Sequence, residues 1–187
     1  MNTLVARKAL VEDISAILKL QSYYLYGENK DHLNSKTGLL NNEINSNELK
    51  ACIKSDNSIV MVLEDLEGNK ILAYAICYSF SSIVNTKSKL IQILQKNNYL
   101  QNTHNSLLIE HFVIHSKTGA IKFLKALYNE GKDKYEDVYG EIMSYPIENA
   151  VSKKFFTILK GKIVGSIEYD DNTVWDIFYS PVQKEFI

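Results

Sequence analysis

The stretch "IEHFVIHSKTGAIKFLKALY" (residues 109–128) decides which fold the sequence predicts. It begins with an apolar run typical of a buried strand, continues with a short polar turn, and ends with apolar residues at helical spacing. The first turn of such a helix has unpaired backbone N–H groups, which bind phosphate readily. Loops of this kind usually contain two or three glycines, whereas this one contains only Gly119. The stretch therefore predicts either a shortened cofactor loop or a simple turn capped by Ser116 or Thr118.

The composition is that of an ordinary globular protein. The chain has 187 residues, of which 45% are hydrophobic and 23% are charged, and its net charge is -1. The length suits one domain, and the balanced charge disfavours nucleic-acid binding, which usually needs an excess of Lys and Arg. Early charges at the N-terminus disfavour a signal peptide, and polar residues interrupt the longest uncharged run, 71–86. We therefore expect a soluble, cytoplasmic protein with no membrane span.

The cysteines and histidines do not form a metal motif. Cys52 falls in a helical pattern and Cys77 in an apolar strand, so we expect two buried free thiols. His111 and His115 lie on one predicted strand, where a rise of about 3.3 Å per residue separates them by about 13 Å. One metal ion cannot bridge that distance, so we expect no metal.

Hydrophobic periodicity predicts alternating strands and helices along the whole chain. The turn "LEGN" (66–69) predicts an antiparallel hairpin between two of the strands. The order of elements predicts an α/β (α+β) fold, with residues 1–187 forming a single domain around a mixed sheet and a helical insertion at about 81–106. The predicted strands are 3–9, 57–65, 69–79, 106–115, 135–143, 161–169 and 172–180, and the predicted helices are 11–26, 46–55, 88–96, 118–131 and 146–159.

Together with three patches of sequence, this order resembles the GNAT superfamily of N-acetyltransferases. The patches are "VARKALVEDISAILKL" (5–20), the strand–turn–helix quoted above, and "YPIENAVSKKFFTILKGKIVG" (145–165). The last is the most specific, because it is similar to the family's P-x-x-N-x-x-S-x-x-F helix and the Val-Gly that follows it. The matching residues are Pro146, Asn149, Ser152, Phe155, Val164 and Gly165. The resemblance implies a mostly antiparallel sheet flanked by helices, and acetyl transfer from acetyl-CoA to an amine.

The resemblance also implies where acetyl-CoA would bind. In this family the strand at 107–114 separates from the strand at 136–142, and the pantetheine arm lies in the gap. The pyrophosphate lies on N–H groups at the start of the next helix. The cofactor-binding residues assigned in this way are Phe112, Val113, Ile114, His115, Ser116, Lys117, Thr118, Gly119, Ala120, Asn149, Ser152 and Phe156.

Amine acetylation needs a group that takes the proton of the amine. Glu110 is the candidate base, since some family members place a catalytic glutamate in this strand; the alternative is an exposed residue or a salt bridge. In a regular strand Glu110, Phe112 and Ile114 share one face. The family's tyrosine that protonates the leaving thiolate falls at Phe156, which has no acidic proton. Water could protonate the thiolate instead, or Tyr145 or Tyr139 could replace the missing tyrosine, with packing as the alternative role of each.

The acceptor site would lie beside the first helix and the loop after it, as in other proteins of this fold. Three tyrosines there, Tyr23, Tyr24 and Tyr26, are candidate substrate residues, and packing is the alternative role for each. The acids of "EYDDN" (168–172) would either attract a cationic amine or form a hairpin turn.

Two functions of different classes follow. The first is an acetyl-CoA-dependent N-acetyltransferase that acts on a primary amine, with acetyl-CoA and that amine as its partners and a homodimer left open. The second is a catalytically inactive protein of the same fold that serves as a binding or regulatory module. The shortened loop and Phe156 favour the second, whereas the helix with Asn149 favours the first.

Overall fold

A computed structural model describes residues 4–25, 39–40, 42–83, 85–100 and 102–182. Its strands form one seven-stranded sheet in the order β1-β2-β3-β4-β5-β7-β6. Within this sheet only β4 and β5 pair in parallel, so it is mixed and mostly antiparallel, as predicted. The strands are β1 (Leu4–Lys8), β2 (Ser58–Asp65), β3 (Lys70–Ser79), β4 (Ser106–Ile114), β5 (Asp137–Tyr145), β6 (Lys162–Glu168) and β7 (Val174–Pro181).

Helices cover both faces of the sheet. Ile17 and Leu49, from the first two helices, pack with Tyr74 of β3 in one apolar core. Phe123 and Phe155, from the last two helices, pack on the opposite face in a second core. The helices are α1 (Ile14–Tyr24), which follows a 3-10 turn at Val11–Asp13, α2 (Ser46–Lys54), α3 (Phe80–Ile83), α4 (Ser88–Lys96), α5 (Ala120–Gly131) and α6 (Ala150–Ile158).

Polar side chains position the start of α1 and α2. Arg7 donates two hydrogen bonds to Asp13, at 2.7 and 2.9 Å, and so ties the end of β1 to the turn before α1. Asn45 caps α2, because its side chain accepts from the backbone N–H groups of Asn47 and Glu48. This is a capping box, in which the Glu48 carboxylate accepts in return from the N–H of Asn45.

β4 and β5 diverge, and this divergence creates the site. Their pairing covers Ser106–Ile109 against Asp137–Gly140 and stops there, although both strands continue for five more residues. The facing edges of 110–114 and 141–145 are therefore not bonded to each other. A gap opens in the middle of the sheet with backbone groups along both sides.

A β-bulge at Glu110 corrects the predicted arrangement of β4. Ile76 of β3 lies opposite His111 and Cys77 lies opposite Ile109, so Glu110 is the extra residue. The prediction that Glu110, Phe112 and Ile114 share one face is wrong, because the bulge shifts the alternation by one. Phe112 and Ile114 pack on the α5 and α6 side, whereas the Glu110 side chain reaches Asn42 and Lys87.

Two further findings concern the chain as a whole. Cys52 and Cys77 are free and buried, as predicted. No helix in the part of the chain that the structure describes is both long enough and apolar enough to cross a membrane.

Candidate active site

A cavity of about 540 Å³ occupies the gap between β4 and β5. Its lining includes Phe112 and Phe155 from one side of the sheet and Glu110 and Glu141 from the other. The cavity therefore passes through the sheet. Two molecules entering from opposite faces would meet beside the bulge at Glu110.

One end of the cavity is charged. The ammonium of Lys87 lies 3.1 Å from Glu110 and 2.9 Å from Glu141. Asn42 donates to Glu110 at 2.7 Å, and the Tyr169 hydroxyl donates to Glu141 at 2.5 Å. These three partners, Lys87, Asn42 and Tyr169, hold both carboxylates in fixed positions at the edge of the gap.

Burial and charge oppose each other at Lys87. Burial alone would lower its pKa, but the neighbouring carboxylates of Glu110 and Glu141 raise the pKa above the ordinary lysine value. Burial, and then the charge of Glu141, raises the pKa of the Tyr169 hydroxyl. At neutral pH the cavity therefore contains an ammonium and a protonated phenol.

The other end of the cavity is aromatic. The rings of Phe112 and Phe155 stack with centroids 3.9 Å apart, and Phe155 meets Phe156 edge-on at 5.2 Å. Phe156 lies against Gly140, where a Cβ atom would be only 2.3 Å from its ring. Phe156 thus fills the space beside the last residue of β5 that pairs with β4.

Asn149 and Ser152 line the cavity at the start of α6. Asn149 is buried and caps the helix, since its side chain accepts from the N–H of Ser152 at 3.1 Å. Its amide also donates to the carbonyl of Leu39 at 3.3 Å. Both residues lie where the resemblance places the pantetheine arm, and their contact with a cofactor remains a prediction.

The predicted phosphate turn lies just beyond β4, and its residues Ser116–Ala120 are not among those that line the cavity. Gly119 occupies the cap position of α5 with φ 81°, and no side chain bonds to the cap. Neither Ser116 nor Thr118 is therefore the N-cap of α5, and the Ser116 hydroxyl instead accepts from the N–H of Thr118 at 3.3 Å within the turn. Lys117 and Thr118 are exposed beside the first N–H groups of α5.

Packing against neighbouring side chains also favours glycine at position 119. A Cβ atom at this position would lie 2.7 Å from Leu4 and 3.0 Å from Leu63. Its positive φ is a conformation that glycine adopts without strain. The start of α5 is thereby held against β1 and β2, whether or not a phosphate binds there.

The candidate substrate tyrosines lie elsewhere. Tyr23 is 55% exposed, and Tyr24 is buried with its hydroxyl 3.2 Å from Nδ1 of His115. Tyr23 and His115 line a separate open groove, not the cavity between β4 and β5. Tyr26 lies outside the described residues. Tyr145, the candidate acid, is 59% exposed at the end of β5.

His111 is a buried neutral histidine behind the bulge. Burial, and then the charge of Lys87, lowers its pKa to about 4. The Tyr74 hydroxyl, whose pKa is raised by burial, lies 3.3 Å from Nδ1 of His111, and the tautomer of the histidine decides which of the two donates. A protonated His111 would add a second buried positive charge near the ammonium of Lys87.

We expect this histidine to make the fold sensitive to acid. Because the native pKa of about 4 lies below the ordinary 6.5, the unfolded state binds the extra proton between these values. The contribution of His111 to the free energy of unfolding should be complete above pH 6.5 and should be lost as the pH falls towards 4. The loss should be on the order of 3 kcal/mol. Urea unfolding at several pH values measures the slope. His111→Gln should flatten it, whereas His104→Gln, at an exposed position, should not.

Sequence reasoning missed most of the charged end. Lys87 falls in the predicted insertion, Glu141 in an apolar strand, and Asn42 in a polar stretch without a pattern. One signal was present: Glu141 interrupts the apolar residues of "YGEIM", as Glu110 interrupts "LIEHFVI". An acid in each of two adjacent buried strands indicates that both face a common polar site.

Comparison with solved structures identifies the same architecture in other proteins. A mosquito arylalkylamine N-acetyltransferase-like protein has a TM-score of 0.61 at 11% identity, over 96% of this chain and 100% of that one. A GNAT-family acetyltransferase from Streptococcus pneumoniae has a TM-score of 0.61 at 13% identity, over 96% and 99%. The ribosomal-protein-S5-alanine acetyltransferase of Vibrio fischeri has a TM-score of 0.60 at 10% identity, over 98% and 96%.

No protein-family model matches the chain, and no curated protein matches it. The similarity to the solved structures nevertheless spans nearly the whole of both chains, so it includes the diverging strands that form the cavity. This chain therefore has the fold of the GNAT acetyltransferases.

Proposed function

We propose that this protein is an acetyl-CoA-dependent N-acetyltransferase that transfers the acetyl group directly to a primary amine. The observation that carries the proposal is the cavity through the β4–β5 gap, with Glu110 at a bulge on its edge. The proposal treats residues 1–187 as one acyltransferase domain. Two buried free thiols fit a reducing compartment such as the cytoplasm.

The chain supplies a base and backbone donors for this reaction. The Glu110 carboxylate would take the amine proton, directly or through one water molecule, as the nitrogen forms its bond to the acyl carbon. Unpaired N–H groups on the β4 edge beyond Ile109 would stabilise the negative charge that develops on the acyl oxygen. The carbon–sulfur bond then breaks, and the thiolate takes a proton from solvent or from Tyr145.

The cofactor arm would enter from the side of α5 and α6. Asn149 and Ser152 line the cavity at the start of α6, and the exposed Lys117 shortly precedes the first N–H groups of α5. A helix N-terminus beside a lysine is suited to a pyrophosphate.

Isothermal titration with acetyl-CoA and, separately, with desulfo-CoA tests the proposal. Micromolar binding of both would support it, and a screen of primary amines for CoA release would then identify acceptors. Absence of binding at millimolar concentration would contradict it.

We expect Thr118→Glu to separate cofactor binding from stability. Thr118 is exposed beside the N-terminus of α5, where a negative charge stabilises the helix by about 0.3–1 kcal/mol but repels a pyrophosphate. The melting temperature should hold or rise, while the affinity for desulfo-CoA should fall at least about tenfold.

Asn129→Glu is the matched control, since it adds the same charge at an exposed position near the other end of α5. Its affinity for desulfo-CoA should equal that of the unmodified protein. Equal affinity of Thr118→Glu would show that the pyrophosphate does not bind at this helix.

One observation favours the second function, a binding module without catalysis. The stack of Phe112 on Phe155, together with Phe156 against Gly140, fills part of the gap on the cofactor side. A protein that no longer binds acetyl-CoA would tolerate aromatic side chains in this part of the gap. Failure of both CoA titrations would favour this function.

The acceptor is proposed to be an amine on two grounds. The solved neighbours include proteins titled as acetyltransferases of arylalkylamines and of an alanine in a ribosomal protein. In addition, the acceptor side of the cavity is lined by four acids, Glu110, Glu141, Asp170 and Asp171, which suit a cation.

A further inference from the structure

Lys87 lies in the candidate active site at the position that an acceptor amine would need. Its Nζ is 3.1 Å from Glu110, the candidate base, and 2.9 Å from Glu141. The Lys87 side chain is only 18% exposed, and those of the two glutamates are 14% and 10% exposed. A primary ammonium of the protein itself therefore lies beside the group proposed to accept the substrate's proton.

The surroundings of Lys87 require a cation. Without it, Glu110 and Glu141 would share a poorly hydrated site with no cation between them, which is costly for like charges. Burial disfavours a charged lysine, yet these carboxylates outweigh burial and raise the pKa of Lys87. The site is therefore built to hold an ammonium ion.

The position of Lys87 in the chain allows the ammonium to leave. Lys87 is the cap residue of α4, and no side-chain hydrogen bond caps that helix. Its side chain is a flexible four-carbon stem, so rotation about its bonds can withdraw the ammonium without moving the helix. The backbone of Lys87 is held in place by a hydrogen bond, which its N–H donates to the carbonyl oxygen of Ile83 at 3.0 Å.

We propose that Lys87 is an internal substitute for the acceptor: it fills an ammonium site between Glu110 and Glu141 until a substrate amine displaces it. The inference rests on the proposed function and names the substrate class, a protonated primary amine on a slim, unbranched alkyl chain. Such an amine reproduces the chain and the three N–H donors of Lys87. An aryl amine, which is neutral near pH 7, does not.

The test replaces the lysine side chain by a free amine. Lys87→Ala removes Cγ, Cδ, Cε and Nζ, which together correspond to n-propylammonium. This variant should melt at a lower temperature than the unmodified protein, and millimolar n-propylammonium chloride should restore the loss. The uncharged 1-propanol should not. Lys96→Ala, at an exposed position in the last turn of α4, should respond to neither compound.

The inference would be overturned if propylammonium raised the melting temperature of Lys87→Ala no more than that of Lys96→Ala. Should Lys87→Ala fail to fold unaided, the refolding yield from urea replaces the melting temperature. The inference would also be overturned if propylammonium raised the refolding yield no more than 1-propanol does.

A second measurement separates this inference from the proposed function. With acetyl-CoA present, Lys87→Ala should convert propylamine to N-propylacetamide with a KM at least about tenfold below that of the unmodified protein. Thermal rescue without product would support the ammonium site and contradict acetyl transfer. Product with equal KM in both proteins would support acetyl transfer and overturn the role of Lys87.

Discussion

Replacing Glu110 by glutamine is expected to lower kcat for acetyl transfer by about 10²–10⁴-fold, the usual contribution of a general base. Glutamine keeps the size of the side chain but cannot accept the proton of the amine. Lys87 keeps its ion pair with Glu141 at 2.9 Å, so the fold should tolerate the change. The rate of CoA release with a primary amine acceptor measures the loss, and titration with desulfo-CoA should show unchanged affinity.

Two other glutamates make this prediction specific. Glu141→Gln removes the same charge from the other side of Lys87, and we expect it to raise the KM for the amine more than it lowers kcat. Glu148→Gln changes a 56% exposed side chain paired with Lys153 and should leave both constants unchanged. A kcat of Glu110→Gln equal to that of the unmodified protein would show that Glu110 is not the base.

The order of strands and helices could be predicted because each has a strong local signal. The apolar runs of β2 and β3 and the Gly68–Asn69 turn between them define a hairpin without any knowledge of the rest. The divergence of β4 from β5 carried no such signal. It was predicted only through the family resemblance, because no local pattern says where pairing between two distant strands stops.

The bulge at Glu110 explains the main error. A bulge depends on the register between β3 and β4, and the sequence of β4 alone continues its alternation through it. Phe112 therefore looked like a neighbour of Glu110 on one face, whereas it stacks on Phe155 on the other. Lys87 was equally hidden, since its two partners lie 23 and 54 residues further along the chain.

The gap and the ammonium site depend on each other. In a continuous sheet Glu110 and Glu141 would lie against a paired neighbouring strand, and two buried carboxylates there would be strongly unfavourable. Because β4 and β5 separate, both carboxylates reach a cavity and share one cation. The irregularity that weakens the sheet is thus the feature that permits charged chemistry at its centre.

Gly119→Ala is expected to lower the free energy of unfolding by about 2–4 kcal/mol, from left-handed backbone strain and overpacking together. The φ of 81° disfavours any Cβ, and the added atom would lie 2.7 Å from Leu4 and 3.0 Å from Leu63. Gly119→Glu should cost more, since it also brings a charge to an apolar contact. Loss of CoA binding in Gly119→Glu would therefore not identify a phosphate site, which is why Thr118 is the better position for that test.

Gly131→Ala is the matched control, at the other end of the same helix. A Cβ there would meet its nearest atoms at 3.6 Å, an ordinary contact, and alanine favours a helix over glycine by about 0.5–1 kcal/mol. Urea unfolding should therefore show Gly131→Ala slightly stabilised and Gly119→Ala clearly destabilised. Equal stability of the two variants would mean that the start of α5 is not held against β1 and β2 as described, and that Gly119 is free to face a phosphate instead.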